Sequence, residues 1–173
     1  SQKPDVVFAF FAGGGAVKFV KDYDAAGLKK SIPLVGSGFL TDGTLEAQGA
    51  SAQGLITALH YGDNIETPRN TAFRNKFAVT YKVNPDVYAL QGYDAAQMLA
   101  IGLATVKGDL GKKDALYAAM NKAQIDSPRG KFTLSPQRNP TQDFYVREVK
   151  GNYNVVTGIA VKALADPGRG CKP

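Results

Sequence analysis

The spacing of apolar positions changes several times along this chain, and each spacing predicts an element. Residues 6–11, Val-Val-Phe-Ala-Phe-Phe, are continuously apolar and rich in β-branched and aromatic side chains. Such a run predicts a parallel strand covered on both faces. Gly13-Gly14-Gly15 then opens a helix to about Ala26, with Val17, Val20 and Tyr23 near one face and Lys18, Lys21 and Asp22 mostly outside it. Gly27 stands where a helix commonly ends in a left-handed residue. Residues 32–35 predict a second strand, closed by the turn Gly36-Ser37-Gly38-Phe39. Residues 45–48 read as a short helix and residues 54–59 as a third strand. Strand, helix, strand and strand in this order imply a parallel sheet with right-handed crossovers.

Residues 60–68 are polar and punctuated, and predict a linking or crossing segment. Thr67 is a good N-cap and Pro68 a good first residue for a helix over 68–81, whose Phe73, Phe77 and Tyr81 recur every four positions as one core stripe. Asn84-Pro85 repeats the cap-then-proline signal and opens a helix to about Val106 that is apolar on almost every side, as suits an interior or a place between domains. A strand at 87–90 with a turn at Gly92 is the alternative for its beginning. A further helix over 113–122 should turn Leu116, Tyr117 and Met120 inward. The chain then changes character: a turn at 127–130, a strand at 131–134, a loop at 135–142, and strands at 144–149 and 153–157 joined as a hairpin through 150–152. The hairpin is expected to pack with residues 1–60, because the helices bring no strands of their own. After Ala165 the composition predicts a frayed tail.

Composition narrows the function more than the fold. The chain has 173 residues, 44% hydrophobic and 21% charged, in the ordinary globular range. No apolar run approaches the ~20 residues of a membrane span. The polar start Ser1-Gln2-Lys3-Pro4 reads as a processed or truncated end. The net charge is +6 and the sequence pI about 9.4, but the basic residues are scattered and lack the aromatic interleaving of a nucleic-acid surface. The excess of positive charge implies a general attraction for anions. Cys171 is the single cysteine, either a free thiol or half of a bridge to a segment outside this chain; His60 is the single histidine and reads as a surface or core residue. No metal site, no cofactor site and no nucleophile-base set is signalled, so catalysis is the weakest reading. GGG is neither GxGxxG nor followed by GK[ST], which excludes the dinucleotide and P-loop signatures.

The sharpest feature is the position of the glycine turns. In open α/β sheets ligands sit beyond the carboxyl ends of the strands, where a helix N-terminus offers N–H groups to an anion. The turns at 11–15 and 36–39 stand at such ends. Most glycine-rich strand-to-helix turns serve no ligand, and that bland reading stays open on the motif alone.

Several stretches together resemble one family: the periplasmic solute-binding proteins of ABC transporters, of the branched-chain amino acid (Leu/Ile/Val-binding) type. They are Lys3-Pro4-Asp5-Val6-Val7-Phe8 with the glycine turn and Val17-Lys18-Phe19; Gly27-Leu28 through Ile32-Pro33-Leu34-Val35-Gly36-Ser37-Gly38-Phe39-Leu40; Pro85-Asp86-Val87-Tyr88-Ala89-Leu90-Gln91-Gly92-Tyr93-Asp94-Ala95-Ala96; Ser127-Pro128-Arg129-Gly130; and Gln142-Asp143-Phe144-Tyr145-Val146-Arg147. The resemblance implies an α/β fold of the type I periplasmic-binding-protein kind, with parallel-sheet lobes and flanking helices, present here as the later half of a two-lobe protein. By that plan residues 1–62 belong to the second lobe, 63–126 are the helical later part of the first, 127–165 return to the second, and 166–173 form the tail.

The implied function is the extracytoplasmic, periplasmic component of an importer. It closes over a small molecule, in Venus-flytrap fashion, and delivers it to a membrane permease. Amino acid binders of the family carry an acidic residue in the turn after the second strand, and Gly36-Ser37-Gly38-Phe39 has none. This departure favours an organic anion, an aromatic carboxylate such as a benzoate derivative, with Phe11, Ala12, Gly13, Gly14, Ser37, Gly38 and Phe39 as the candidate ligand-binding residues. Either phenylalanine can equally pack inside the lobe. A ligand-sensing receptor of the same fold and a branched-chain amino acid binder are the alternatives. Implied partners are the ligand, the permease, and either the missing N-terminal half or a second copy of this chain; no nucleic acid is implied.

Overall fold

The computed structural model describes residues 4–170, so Cys171 lies outside the described residues. The chain divides into two compact units: one runs up to Ile65 and includes Phe144–Val161, the other comprises Glu66–Asp143 and the residues from Lys162 onward. Residues 127–143 and 162–165, expected with the strands, thus group with the helices. The hairpin residues 144–157 group with the opening residues, as their pairing requires.

In the first unit, β1 (Val7–Ala9), β2 (Leu34–Ser37) and β3 (Ile56–Leu59) are parallel neighbours, and β5 (Pro140–Lys150) joins β3 antiparallel. The three opening strands are parallel, as expected; β5, returning after the chain's excursion through the second unit, runs opposite to β3 and makes the sheet mixed. β6 (Tyr153–Leu164) pairs with β5 across the turn at Gly151.

The first strand is shorter than its apolar run and is not covered on both faces. Val7 and Ala9 turn inward, whereas Val6, Phe8 and Phe10 are exposed at 50%, 69% and 64%. A strand alternates its side chains, and the helices of this unit cover one face only. That face holds Ala9, Leu34, Leu55 and Val149, packed against Ala16, Val20 and Tyr23 of α1 (Gly13–Ala25) and Leu45 of α2 (Leu45–Gln48). α1 stops where expected: Gly27 takes φ +71° and its N–H donates to the carbonyl of Asp24.

In the second unit, α3 (Pro68–Tyr81) begins at the Thr67 cap, whose side chain accepts from the Asn70 N–H at 3.0 Å. The aromatic stripe is only partly core: Phe73 is buried, but Tyr81 is 63% exposed. The rings instead pack at a tilt along the helix and onto Tyr93, Phe73 lying 5.1 Å from Tyr93 between centroids. α4 (Val87–Thr105) is capped by Asp86, which accepts from Ala89, and not by Asn84. Pro85 precedes this cap and its carbonyl accepts from Arg74. The strand alternative for 87–90 is overturned, since these residues are helical. α5 (Lys113–Asn121) meets α4 at Gly102, where a Cβ would come within 2.8 Å of Leu116 and Met120. Leu116 faces inward, but Tyr117 is 52% exposed, because it stands one step around the helix from that contact.

A buried ion pair locks the later strand region of this unit. The Arg129 guanidinium donates to Asp94 Oδ2 from Nε (2.9 Å) and Nη2 (2.7 Å), Ser127 Oγ donates to the same oxygen, and Arg129 lies 4.3 Å over the Phe132 ring. β4 (Thr133–Leu134) pairs with the start of β5. The described part of the tail is tied down: Asp166 accepts from Gly168 and Asn139, and these hydrogen bonds hold its carboxyl below the ordinary range.

The contrast between buried and exposed ion pairs is measurable. Replacing Arg129 with Met leaves Asp94, 3% exposed at its side chain, without its partner, and should cost ~3–5 kcal/mol in urea unfolding. Lys18→Ala, which removes an i, i+4 pair on the open face of α1, should change stability by less than about 1 kcal/mol in the same measurement.

Candidate functional site

The carboxyl ends of β1 and β2 lie side by side, with Ala9 opposite Gly36. The segments that leave these two strands therefore share one end of the sheet. After β1 the chain enters α1 through Ala12, an extended N-cap whose side chain offers no capping bond, and no acidic residue stands in the first turn. Helix geometry leaves the first N–H groups without intrahelical acceptors, and the first turn closes only when Ala16 N–H reaches the Ala12 carbonyl. Gly13 and Gly14 are exposed, with open space where a Cβ would stand. The helix start is bare, accessible and favourable to negative charge.

After β2, Gly38–Leu40 forms one turn of 3-10 helix. The Gly38 carbonyl accepts from the N–H groups of Thr41 (3.1 Å) and Asp42 (3.0 Å). Ser37 Oγ is buried and has no hydrogen-bond partner in the protein. Phe39 meets Phe10 edge-on, with ring centroids 6.0 Å apart.

The two phenylalanines that the turn pattern puts on one wall meet different ring neighbours. Phe11, before the helix, stacks on Phe19 of α1 at 4.5 Å, and Phe19 continues onto Tyr23. Phe39 pairs instead with Phe10, which the apolar run assigns to a buried strand. The spacing 6, 8, 10 carried that signal, since a half-covered strand would expose all three together.

Gly38 has a role that its spacing did not reveal. A Cβ there would lie 2.6 Å from Arg147 Nη2 and 2.6 Å from Leu59 Cβ. The missing side chain serves this inward approach, not an outward one. Arg147 of β5 is fully buried: Nη1 donates to the Tyr61 carbonyl at 2.9 Å, Nη2 to Thr57 Oγ1 at 3.0 Å, and Nη2 pairs with Asp42 Oδ2 at 2.8 Å. Beside it, Thr41 Oγ1 donates to Asn154 Oδ1, and Asn154 N–H donates to Asp63. The sequence pattern locates the strand but gives Arg147 no part, although an arginine in register with inward-facing Val149 was the available sign. His60 is a core residue, buried and edge-on to Phe144 at 6.0 Å.

Two glycine substitutions separate the two turns. Gly38→Ala forces Leu59 and Arg147 apart and should cost ~1–3 kcal/mol by thermal unfolding. Gly14→Ala, with nothing within 4 Å of the new methyl, should be neutral or stabilise by up to about 1 kcal/mol.

Comparison with known proteins identifies the family and the fold. A family profile described as periplasmic binding protein matches residues 1–154. The Leu/Ile/Val-binding protein homolog 6 of Brucella melitensis is 34% identical over 149 residues, 83% of this chain but 38% of the relative. A solute-binding protein of an ABC transporter from R. palustris, solved in complex with benzoate, superposes with a TM-score of 0.94 at 51% identity, over 99% of this chain and 47% of that one. One from Rhodopseudomonas palustris BisB5, in complex with 3,4-dihydroxybenzoic acid, gives 0.85 at 31% identity over 96% and 47%. A leucine-binding protein of Thermotoga maritima, at 16% identity and a TM-score of 0.74 over 90% and 44%, shares the fold. The chain spans less than half the length of each of these relatives.

Proposed function

The chain belongs to the periplasmic binding protein family, and from that premise we propose that it is part of the extracytoplasmic solute receptor of an ABC importer, one that takes up an aromatic carboxylate of the benzoate type and presents it to a membrane permease. The family relatives with this type I fold are solute-binding proteins, not enzymes. The opening unit then serves in the second lobe and the helical unit in the first.

The observation that carries the ligand class is the Ser37–Phe39 turn. It bears no carboxylate for an ammonium group, and it holds a buried hydroxyl without a protein partner, Ser37 Oγ. A buried polar atom left unpaired is costly, so the site favours a ligand that satisfies it. The bare N-terminus of α1 at the same end of the sheet suits a carboxylate, and the Phe10–Phe39 pair suits a flat apolar ring. Phe11, Ala12, Gly13, Gly14, Ser37, Gly38 and Phe39 remain the proposed ligand-contacting set; Gly38 acts through its backbone. The 51% identical relative in complex with benzoate supports the same class. A branched-chain amino acid is the second reading, favoured by the Leu/Ile/Val-binding names among the curated relatives.

A thermal-shift panel of benzoate, 4-hydroxybenzoate, leucine and valine on the full-length protein separates the two. Benzoates at a hundredfold excess over the dissociation constant should stabilise by ~2.7 kcal/mol, and leucine and valine should not. A shift with leucine and none with any benzoate would overturn this reading.

We also propose that the helical unit meets further polypeptide, either the remaining half of the receptor or a second copy of this chain. Tyr88 and Leu99, on one side of α4, are each 45% exposed, and Ile101, on the opposite side, is 36% exposed; a helix with apolar side chains bare on more than one side suits further cover. Light scattering on the 173-residue chain should give a mass above 18.4 kDa or reveal a companion polypeptide; a monodisperse monomer would refute the proposal.

A further inference from the structure

Arg147 is buried directly behind the Ser37–Phe39 turn, with its guanidinium at the place a Gly38 side chain would occupy. Its partners are two neutral oxygens, Tyr61 O and Thr57 Oγ1, and one carboxylate, Asp42, itself 3% exposed. Asp42 in turn donates its backbone N–H to the Gly38 carbonyl. The turn therefore rests on a buried pair of opposite charges, and the guanidinium is the member that touches Gly38.

We propose that Arg147 is a positioning and specificity-determining residue of the ligand site: through Gly38 it holds the turn in place, and its balance with Asp42 sets the preference for an anionic ligand. The inference rests on the preceding reading of that site. Three features support it. First, the Gly38 carbonyl is fully engaged by Thr41 and Asp42, which fixes the orientation of that peptide. Second, Nη2 lies 2.6 Å from where a Gly38 Cβ would stand, so only glycine leaves room for the guanidinium behind the turn. Third, both charges lie out of water, where their field is weakly screened and acts across the turn. Arginine keeps its proton in every environment a protein provides. Removing Asp42 therefore leaves a net positive charge behind the turn, and removing Arg147 deletes it.

A structural brace and a charge determinant make different predictions. Arg147→Met and Asp42→Asn both break the same buried pair and both should lower stability. They should move ligand charge preference in opposite directions. The test measures binding of benzoate and of its neutral isostere benzamide by calorimetry on the full-length protein. Asp42→Asn should raise the benzoate-to-benzamide affinity ratio by about fivefold or more, and Arg147→Met should lower it by about tenfold. Thr57→Val, which removes a neutral partner, should affect the two ligands alike. If Arg147→Met does not fold, Asp42→Asn alone decides through the direction of its shift. Parallel loss for both ligands in Asp42→Asn, with the ratio unchanged, makes the pair a brace only and overturns the inference. A wild-type protein that binds leucine and neither aromatic ligand overturns the reading of the site, and this inference with it.

Discussion

The burial of one full positive charge constrains the first unit more than any apolar contact does. Arg147 is 0% exposed; its two terminal nitrogens find acceptors while Nε has none, and a guanidinium taken out of water without those acceptors would be far more costly. The acceptors come from parts of the chain that nothing else would bring together. Asp42 stands just after the turn that closes β2, Thr57 lies on β3, and Tyr61 begins the segment that leaves the sheet. Any arrangement that misplaced one of them would strand a charge. The return of β5 to the edge of β3 is thereby specified by more than its ladder: register Thr57 opposite Arg147 is the one that completes the set.

The second unit uses the same device. Arg129, from the turn between α5 and β4, reaches back to Asp94 in α4, with further hydrogen bonds from Ser127 to Asp94 and from Arg129 to Gln142. In each unit an arginine late in the chain is joined to an aspartate that precedes it by many residues. Both ion pairs are buried, so their value lies less in net stability than in what it costs to form them wrongly. The glycines Gly38 and Gly102 obey the same logic at the level of volume, each being the only residue that lets its neighbour approach.

Around this framework the carboxyl end of β1 and β2, the proposed ligand end, is left chemically unfinished. The start of α1 is uncapped, Ser37 Oγ has no partner, and the aromatic pair Phe10–Phe39 stands at the edge. Thr41 and Asn154 find partners, whereas Gln48 Oε1 and Arg147 Nε, like Ser37 Oγ, have none within the protein; what sets this end of the sheet apart is that the unpaired hydroxyl shares it with the open start of α1 and the exposed ring of Phe10.

Local chemistry was legible in the sequence. Thr67-Pro68 started α3, Gly27 stopped α1, the short helix at 45–48 and the hairpin about Gly151 lay where their residues put them, because caps, turns and proline act within a few positions. The family resemblance was legible as well, because its stretches are short and keep their order along the chain. What the sequence could not show was coverage. An apolar run such as residues 6–11 is compatible with a strand buried on two faces or one, and only the placement of α1 and α2 on a single face exposes Phe8 and Phe10. The stripe Phe73, Phe77 and Tyr81 has helical spacing whether or not a neighbour lies along its whole length. Arg147 in a strand reads as an exposed charge until pairing with β3 turns it inward, and Gly38 reads as a ligand-facing gap until that guanidinium is seen behind it. Local propensity is written in adjacent residues; the side from which a strand is covered, and the partner a buried charge finds, depend on segments up to about a hundred positions away and are decided only when the chain has packed.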